Sequence, residues 1–131
     1  MASNVETVRD LYAALSNGDA ATFLAAMDDQ IYWEEPASMP FENQRGPQAV
    51  AENILGPVTE QIEGFSGAQH EFVDGGDVVC VMGVYRGTGV KTGIDLTAEF
   101  MHVWRFGPDG KITGIRIYTD THQRREALGV N

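Results

Sequence analysis

Leu96-Thr97-Ala98-Glu99-Phe100-Met101-His102-Val103-Trp104-Arg105-Phe106 is the stretch on which the fold turns. Leu96, Ala98, Phe100, His102, Trp104 and Phe106 recur with period two, so strand geometry puts them on one sheet face. Thr97, Glu99, Met101, Val103 and Arg105 then point the other way. A histidine between Phe and Trp on an apolar face costs free energy unless something hydrogen-bonds it. It is therefore either a core residue with a partner or part of a site. A second run, Ile31-Tyr32-Trp33-Glu34-Glu35-Pro36, repeats the arrangement with a carboxylate. Alternation there sets Ile31, Trp33 and Glu35 on one face, with Tyr32 and Glu34 on the other; Glu34 takes the inward place if the register slips by one.

Around the first run the chain reads as an antiparallel meander. Strands are predicted over 64–74, 77–87, 95–106 and 111–120. Turn signals separate them: Asp74-Gly75-Gly76-Asp77, a glycine-rich stretch over 87–93, and Gly107-Pro108-Asp109-Gly110. Helices precede them. Ser3 with Glu6 makes a capping box ahead of Val5, Val8, Leu11, Tyr12 and Leu15, a stripe that stops at Asn17-Gly18. Asp19 caps a second short helix carrying Phe23, Leu24 and Met27, and a strand follows over 30–35. After a polar loop from Pro36 to Arg45, Gly46-Pro47 opens a third helix with Val50, Ile54 and Val58 on one side. Gly56-Pro57 is expected to kink or break it, because proline removes one ladder bond and clashes with the preceding turn. A final short helix runs from Gln123 to Leu128. The order α-α-β-α-β-β-β-β predicts an α+β fold, with helices on one face of a curved, mostly antiparallel sheet. A bent sheet closed by helices leaves a conical pocket of the kind that takes small ligands.

At 131 residues, 43% of them hydrophobic, the chain reads as one domain over 1–131 with a sizeable core. No apolar run approaches the roughly 20 residues that span a bilayer. The N-terminal Met-Ala-Ser-Asn-Val-Glu lacks the basic and apolar regions of a signal peptide, so a cytoplasmic location is expected. One cysteine, Cys80, excludes an internal disulfide and reads as a buried, inert thiol. Nineteen acids against nine bases give a formal charge of −10. Such a surface repels phosphate backbones and anionic lipids, which disfavours nucleic acid and membranes as partners and favours neutral or weakly polar substrates. There is no Walker loop, no GxGxxG after a strand, no paired-cysteine metal spacing and no internal repeat. His70, His102 and His122 lie too far apart in sequence for a local metal motif, and His70 and His122 read as surface residues.

Four segments in this order carry a resemblance: Val8–Asp19, Trp33-Glu34-Glu35-Pro36, Arg45-Gly46-Pro47-Gln48-Ala49-Val50, and Gly110-Lys111-Ile112-Thr113-Gly114-Ile115-Arg116-Ile117-Tyr118. Over nearly its whole length the chain resembles the nuclear transport factor 2-like superfamily. Within it, the likeness is to SnoaL-like polyketide cyclases, ketosteroid isomerases and limonene epoxide hydrolases. The resemblance implies that Glu35 stands where ketosteroid isomerases hold their proton-moving base, just before the proline of the first strand. His102 matches the protonated aspartate of their oxyanion hole, while their oxyanion tyrosine matches Leu11, which removes that donor. The epoxide-hydrolase triad does not carry over: Gly83 stands where its arginine does, Tyr85 and Ile117 where its two aspartates do. Ile117 also replaces the acid-base aspartate of the cyclases. Asp120 is the substitute only if a bulge at Gly107-Pro108 turns it inward; otherwise Ile115, Ile117 and Thr119 share a face with His102.

The catalytic candidates are thus Glu35, His102 and Tyr85. Desolvation beside Trp33 raises the Glu35 pKa toward the range of a general base; the plain alternative is a strand-end acid in water or a cap on the 36–45 loop. His102 either serves a substrate carbonyl or is a core imidazole bonded to Tyr85, Glu99 or a backbone carbonyl. Trp33, Phe100, Trp104, Ile117, Leu11 and Ile54 supply the expected pocket walls. The implied function is cofactor-independent proton transfer on a neutral hydrophobic carbonyl compound: isomerisation, cyclisation or hydration, with no metal and no organic cofactor. The alternative is a non-catalytic ligand-binding or dimerisation module, favoured by Gly83, Leu11 and Ile117 in place of polar catalytic groups. Relatives of this kind pair through the open sheet face, so the outward run Thr97, Glu99, Met101, Val103 and Arg105 predicts a homodimer.

Overall fold

A computed structural model describes residues 3–130. The chain opens with α1 (Asn4–Ser16), whose N-terminus Ser3 closes: its Oγ accepts from Glu6 N at 3.2 Å and donates to Glu6 Oε1 at 3.1 Å. This satisfies orphan groups of the first turn and fixes where the helix starts. Asp19 does the same for α2 (Ala20–Ala25), accepting from Thr22 N. The strand β1 (Met27–Glu34) follows, then a loop that ends in the two-residue strand β2 (Gln44–Arg45).

The third helix is not broken at Pro57, though its regular ladder is interrupted just before it. It runs as α3 (Pro47–Val50), a π-helical segment (Ala51–Leu55) and α4 (Gly56–Gln61), with helical dihedrals at every junction. Proline neither breaks nor ends it. The wider π turn just upstream accommodates a residue that has no N–H to give and a ring that would collide with a tighter turn. Val50, Ile54 and Val58 stay on one buried face across the join.

The remaining elements are β3 (Ile62–Asp74), β4 (Val78–Gly89), β5 (Asp95–Phe106), β6 (Ile112–Thr119) and α5 (Thr121–Leu128). They complete a six-stranded sheet of order β2-β1-β6-β5-β4-β3. Its strands pair antiparallel except at β1–β6, which run parallel with Trp33 opposite Ile115. Register shifts in β3, between Glu63 and Ser66 and between Gln69 and Glu71, bend that edge strand. Along β5 the six inward positions from Leu96 to Phe106 are all buried, as the period of two requires. His102 pairs with Val81 on one side and Ile117 on the other. The hairpin does not pair Phe106 with Lys111 end to end: Phe106 stands opposite Ile112, and the register shift between Arg105 and Phe106 then sets Ile117 opposite His102, so Ile117 takes the inward place. Asp120 is instead the N-cap of α5, accepting from Gln123 N at 3.2 Å.

Two glycines are fixed by close approach. A Cβ on Gly83 would come within 2.0 Å of Ala68 O and 2.6 Å of the Phe100 ring, so the place that resemblance gave to an arginine is filled by neighbouring chain. A Cβ on Gly89 would sit 1.9 Å from Ala127 O. That bare backbone is the bed on which α5 lies, and Thr92 Oγ1 donates to the same carbonyl at 2.7 Å. Cys80 is half-buried on the outer sheet face opposite Val103, which corrects the expectation of a fully buried thiol. Among the described residues no helix is long and apolar enough to cross a membrane.

Candidate functional site

The helices and the concave sheet face enclose a cavity of about 910 Å³. Glu35 and Tyr85 line it, as do His102, Trp33, Trp104, Ile117 and Ile54. Of the other residues expected in its walls, Leu11 and Phe100 are not among the lining groups. Leu11 is buried in the core on another side of α1, and Tyr12, one position and about 100° around the helix, takes the cavity-facing place. Phe100 lies behind the site, its ring stacked on His102 at 4.1 Å and against Tyr85 at 4.4 Å.

Glu35 stands one residue beyond β1, on the face of Trp33. Its side chain is only 2% exposed. Trp33 Nε1 donates to Glu35 Oε2 at 2.6 Å, while Glu35 Oε1 has no hydrogen-bond partner among the described residues. Asn43 Oδ1 accepts from the Glu35 backbone N–H at 2.8 Å, which ties the 36–43 loop to the strand end. Burial pushes the carboxyl above its ordinary pKa, against the opposing pull of the Trp33 bond and the Arg124 charge. Glu34 faces the other way and pairs with Arg116 at 3.4 Å on the outside.

His102 is 7% exposed and fully engaged. The Tyr12 hydroxyl lies 2.6 Å from Nδ1 and the Tyr85 hydroxyl 2.5 Å from Nε2. Trp104 Nε1 donates to the Tyr12 oxygen at 3.0 Å. Burial, helped by the Arg124 charge, lowers the imidazole pKa to about 3, so the ring is neutral. A neutral imidazole has one N–H and one lone pair, so one tyrosine donates to it and the other accepts. With every dipole aligned, the chain runs Trp104 N–H to Tyr12, Tyr12 O–H to His102, and His102 N–H to Tyr85. The Tyr85 proton is then left free to donate. Burial also raises the Tyr12 and Tyr85 pKa values, which keeps both phenols protonated.

Two members of the site were not among the residues singled out from sequence. Tyr12 carried a signal: a tyrosine inside an amphipathic stripe brings a hydroxyl that needs a partner once buried. Arg124 carried none, since Gln123-Arg124-Arg125-Glu126 reads as a solvated helix. Yet the Arg124 side chain is 6% exposed, with NH1 3.9 Å from Glu35 Oε1 and the guanidinium carbon 4.9 Å from the centre of the Tyr85 ring. Its helix is held by the Asp120 cap, by Gly129 in the left-handed region at the C-terminus, and by Arg125 donating to Ser38 O at 2.5 Å. His70 and His122 are exposed, the latter beside Glu126 at 3.0 Å.

The arrangement sets a buried carboxylate with one free oxygen and a neutral hydrogen-bond relay on the walls of one cavity. Known proteins share its frame. An NTF2-like protein from Burkholderia thailandensis E264 is 30% identical over 98% of each chain, with a TM-score of 0.92. TerC, crystallised with polyporic acid, is 28% identical over 96% of this chain and 98% of its own, at 0.86. A protein described as a SnoaL-like polyketide cyclase, from Shewanella denitrificans OS-217, is 17% identical over 96% of each chain at 0.78, a likeness of fold alone. No curated protein matches the sequence. The model of the SnoaL-like domain matches residues 8–115, from the first helix to the last strand, and the chain belongs to that family.

Proposed function

We propose that this protein catalyses proton transfer on a small, largely apolar carbonyl compound held in the cavity. The Glu35 carboxylate takes a proton from the carbon beside the carbonyl, the C–H electron pair forms a carbon–carbon double bond, and the carbonyl oxygen takes up the negative charge. Tyr85 O–H, backed by His102 and Tyr12, donates to that oxygen as charge develops. Return of the proton to a different carbon gives isomerisation; attack of the new carbon nucleophile on a second carbonyl gives cyclisation. One observation carries the reading: a buried carboxylate with an unpartnered oxygen stands on the wall of the same hollow as a neutral donor relay. Trp33, Trp104, Ile54 and Ile117 exclude water and supply apolar contact. The co-crystal of TerC with polyporic acid supports a small organic occupant for this fold.

Solvent-deuterium exchange into cyclic ketones, followed by NMR, tests the reading. The native protein is expected to accelerate exchange and Glu35→Gln to lower the rate by about 100-fold or more. Equal exchange by both would leave a ligand-binding module without catalysis. The outer sheet face supports a homodimer as well: Val73 and Tyr118, each 46% exposed, flank half-buried Met82, Met101 and Val103. Light scattering across a dilution series tests that pairing, and Met101→Lys is expected to abolish it.

A further inference from the structure

We infer that Arg124 reads a negatively ionised oxygen on the ligand, so that the cavity prefers flat organic monoanions, carboxylates or enolates, over neutral molecules of the same shape. The net charge of the chain argues for neutral ligands, but the interior of the cavity does not follow the surface. A guanidinium stays charged at any ordinary pH, and a buried cation is costly unless a paired charge and hydrogen bonds compensate it. Arg124 NH1 is buried with no hydrogen-bond partner among the described residues. Its nearest carboxylate oxygen is Glu35 Oε1 at 3.9 Å, beyond hydrogen-bond reach, and that atom is unpartnered too. The faces of Tyr85, at 4.9 Å, and Phe41, at 5.9 Å, hold the guanidinium in place without satisfying its N–H groups. The other N–H groups of the guanidinium are not sealed off as NH1 is, and Arg124 lines the cavity, so an acceptor brought by the ligand meets them there. The planar fork suits an ionised oxygen, and Trp33 and Phe65 on the cavity wall suit an aromatic body.

The inference rests on the cavity being the ligand site, but it needs no turnover. Equilibrium calorimetry therefore separates its failure from failure of the proton-transfer reading. The probes are two pairs matched in shape: 2-naphthoate against 2-naphthamide, and 4-hydroxycoumarin, ionised at neutral pH, against 4-methoxycoumarin. The native protein is expected to bind the anion of at least one pair about tenfold or more tighter, the worth of one charge-assisted hydrogen bond. A preference confined to one pair identifies carboxylate or enolate as the form read. Arg124→Gln is expected to erase the preference, lowering anion affinity about tenfold and neutral-probe affinity by far less, and Arg124→Lys to restore part of it. Glu35→Gln, which silences a catalytic base, is expected to strengthen anion binding by removing a like charge. Equal affinity within both pairs for the native protein, no binding of any probe, or a preference that survives Arg124→Gln overturns the inference. The native comparison stands even if a variant fails to fold.

Discussion

Trp33 Nε1 donates to Glu35 Oε2 across 2.6 Å, two positions along one face at the end of β1. The bond immobilises one carboxylate oxygen and leaves its twin without a hydrogen-bond partner. It also opposes the desolvation that lifts the Glu35 pKa.

Trp33→Phe removes the donor while keeping an aromatic ring in the wall. The Glu35 pKa is expected to rise further, moving the acid limb of the pH–rate profile to higher pH. Stability is expected to fall by about 1–3 kcal/mol, the cost of an unsatisfied buried acceptor. Denaturant titration and the rate profile check the two effects separately.

Glu35 is also a pH-dependent liability to the fold. A carboxyl whose folded pKa lies above its ordinary 4.5 binds its proton more tightly in the native state. Its favourable contribution is therefore full below 4.5 and is lost as pH rises through the higher folded value. The difference in unfolding free energy between native protein and Glu35→Gln, measured from pH 4 upward, is expected to shift in favour of the variant.

His102 acts in the opposite window. Its folded pKa of about 3 lies below the ordinary 6.5, so the unfolded chain binds more protons between those values. Stability is expected to fall as pH drops from 6.5 toward 3, and His102→Phe to flatten that slope. Carbon-13 NMR of the imidazole is expected to find the ring still neutral at pH 5.

The two tyrosines differ in cost. Tyr85→Phe leaves only His102 Nε2 without a partner, for a loss of about 1–3 kcal/mol. Tyr12→Phe strands both His102 Nδ1 and the nearly buried Trp104 N–H, and about 2–4 kcal/mol is expected. Activity is expected to separate them the other way. Tyr85→Phe removes the terminal donor and costs about 100-fold or more in kcat, while the effect of Tyr12→Phe is smaller. Urea unfolding and steady-state kinetics test both orderings.

Gly83→Ala is expected to destabilise by about 3 kcal/mol, because its Cβ meets backbone at Ala68 O and the edge of the Phe100 ring. Displacing Phe100 removes the plate beneath His102 and Tyr85. Near-UV circular dichroism is expected to report the disturbance even where the fold survives.

Much of this was legible from residue order. A period of two over 96–106 orients six side chains at once, because a slip by one residue would expose every apolar member. The same rule separates Glu35 from Glu34. Helices are less decisive: Leu11 and Tyr12 are both buried, and an apolar arc does not tell which of its edges meets the cavity. Pro57 invites a break that a single wide turn averts, an accommodation local propensity does not contain. Arg124 was beyond reach for a different reason. Its burial depends on where α5 docks, and that is decided by the missing Cβ of Gly89 and the hydroxyl of Thr92, 35 residues before their shared carbonyl partner.

The parallel seam between β1 and β6 has a kinetic corollary. Residue 33 pairs with residue 115, far along the chain, and such distant partners are slow to find each other. A chain that has reached β5 can zip its three local hairpin strands, yet the carboxylate strand has only the two-residue β2 beside it. The wall that β1 and β6 make together is thus expected to close late in folding.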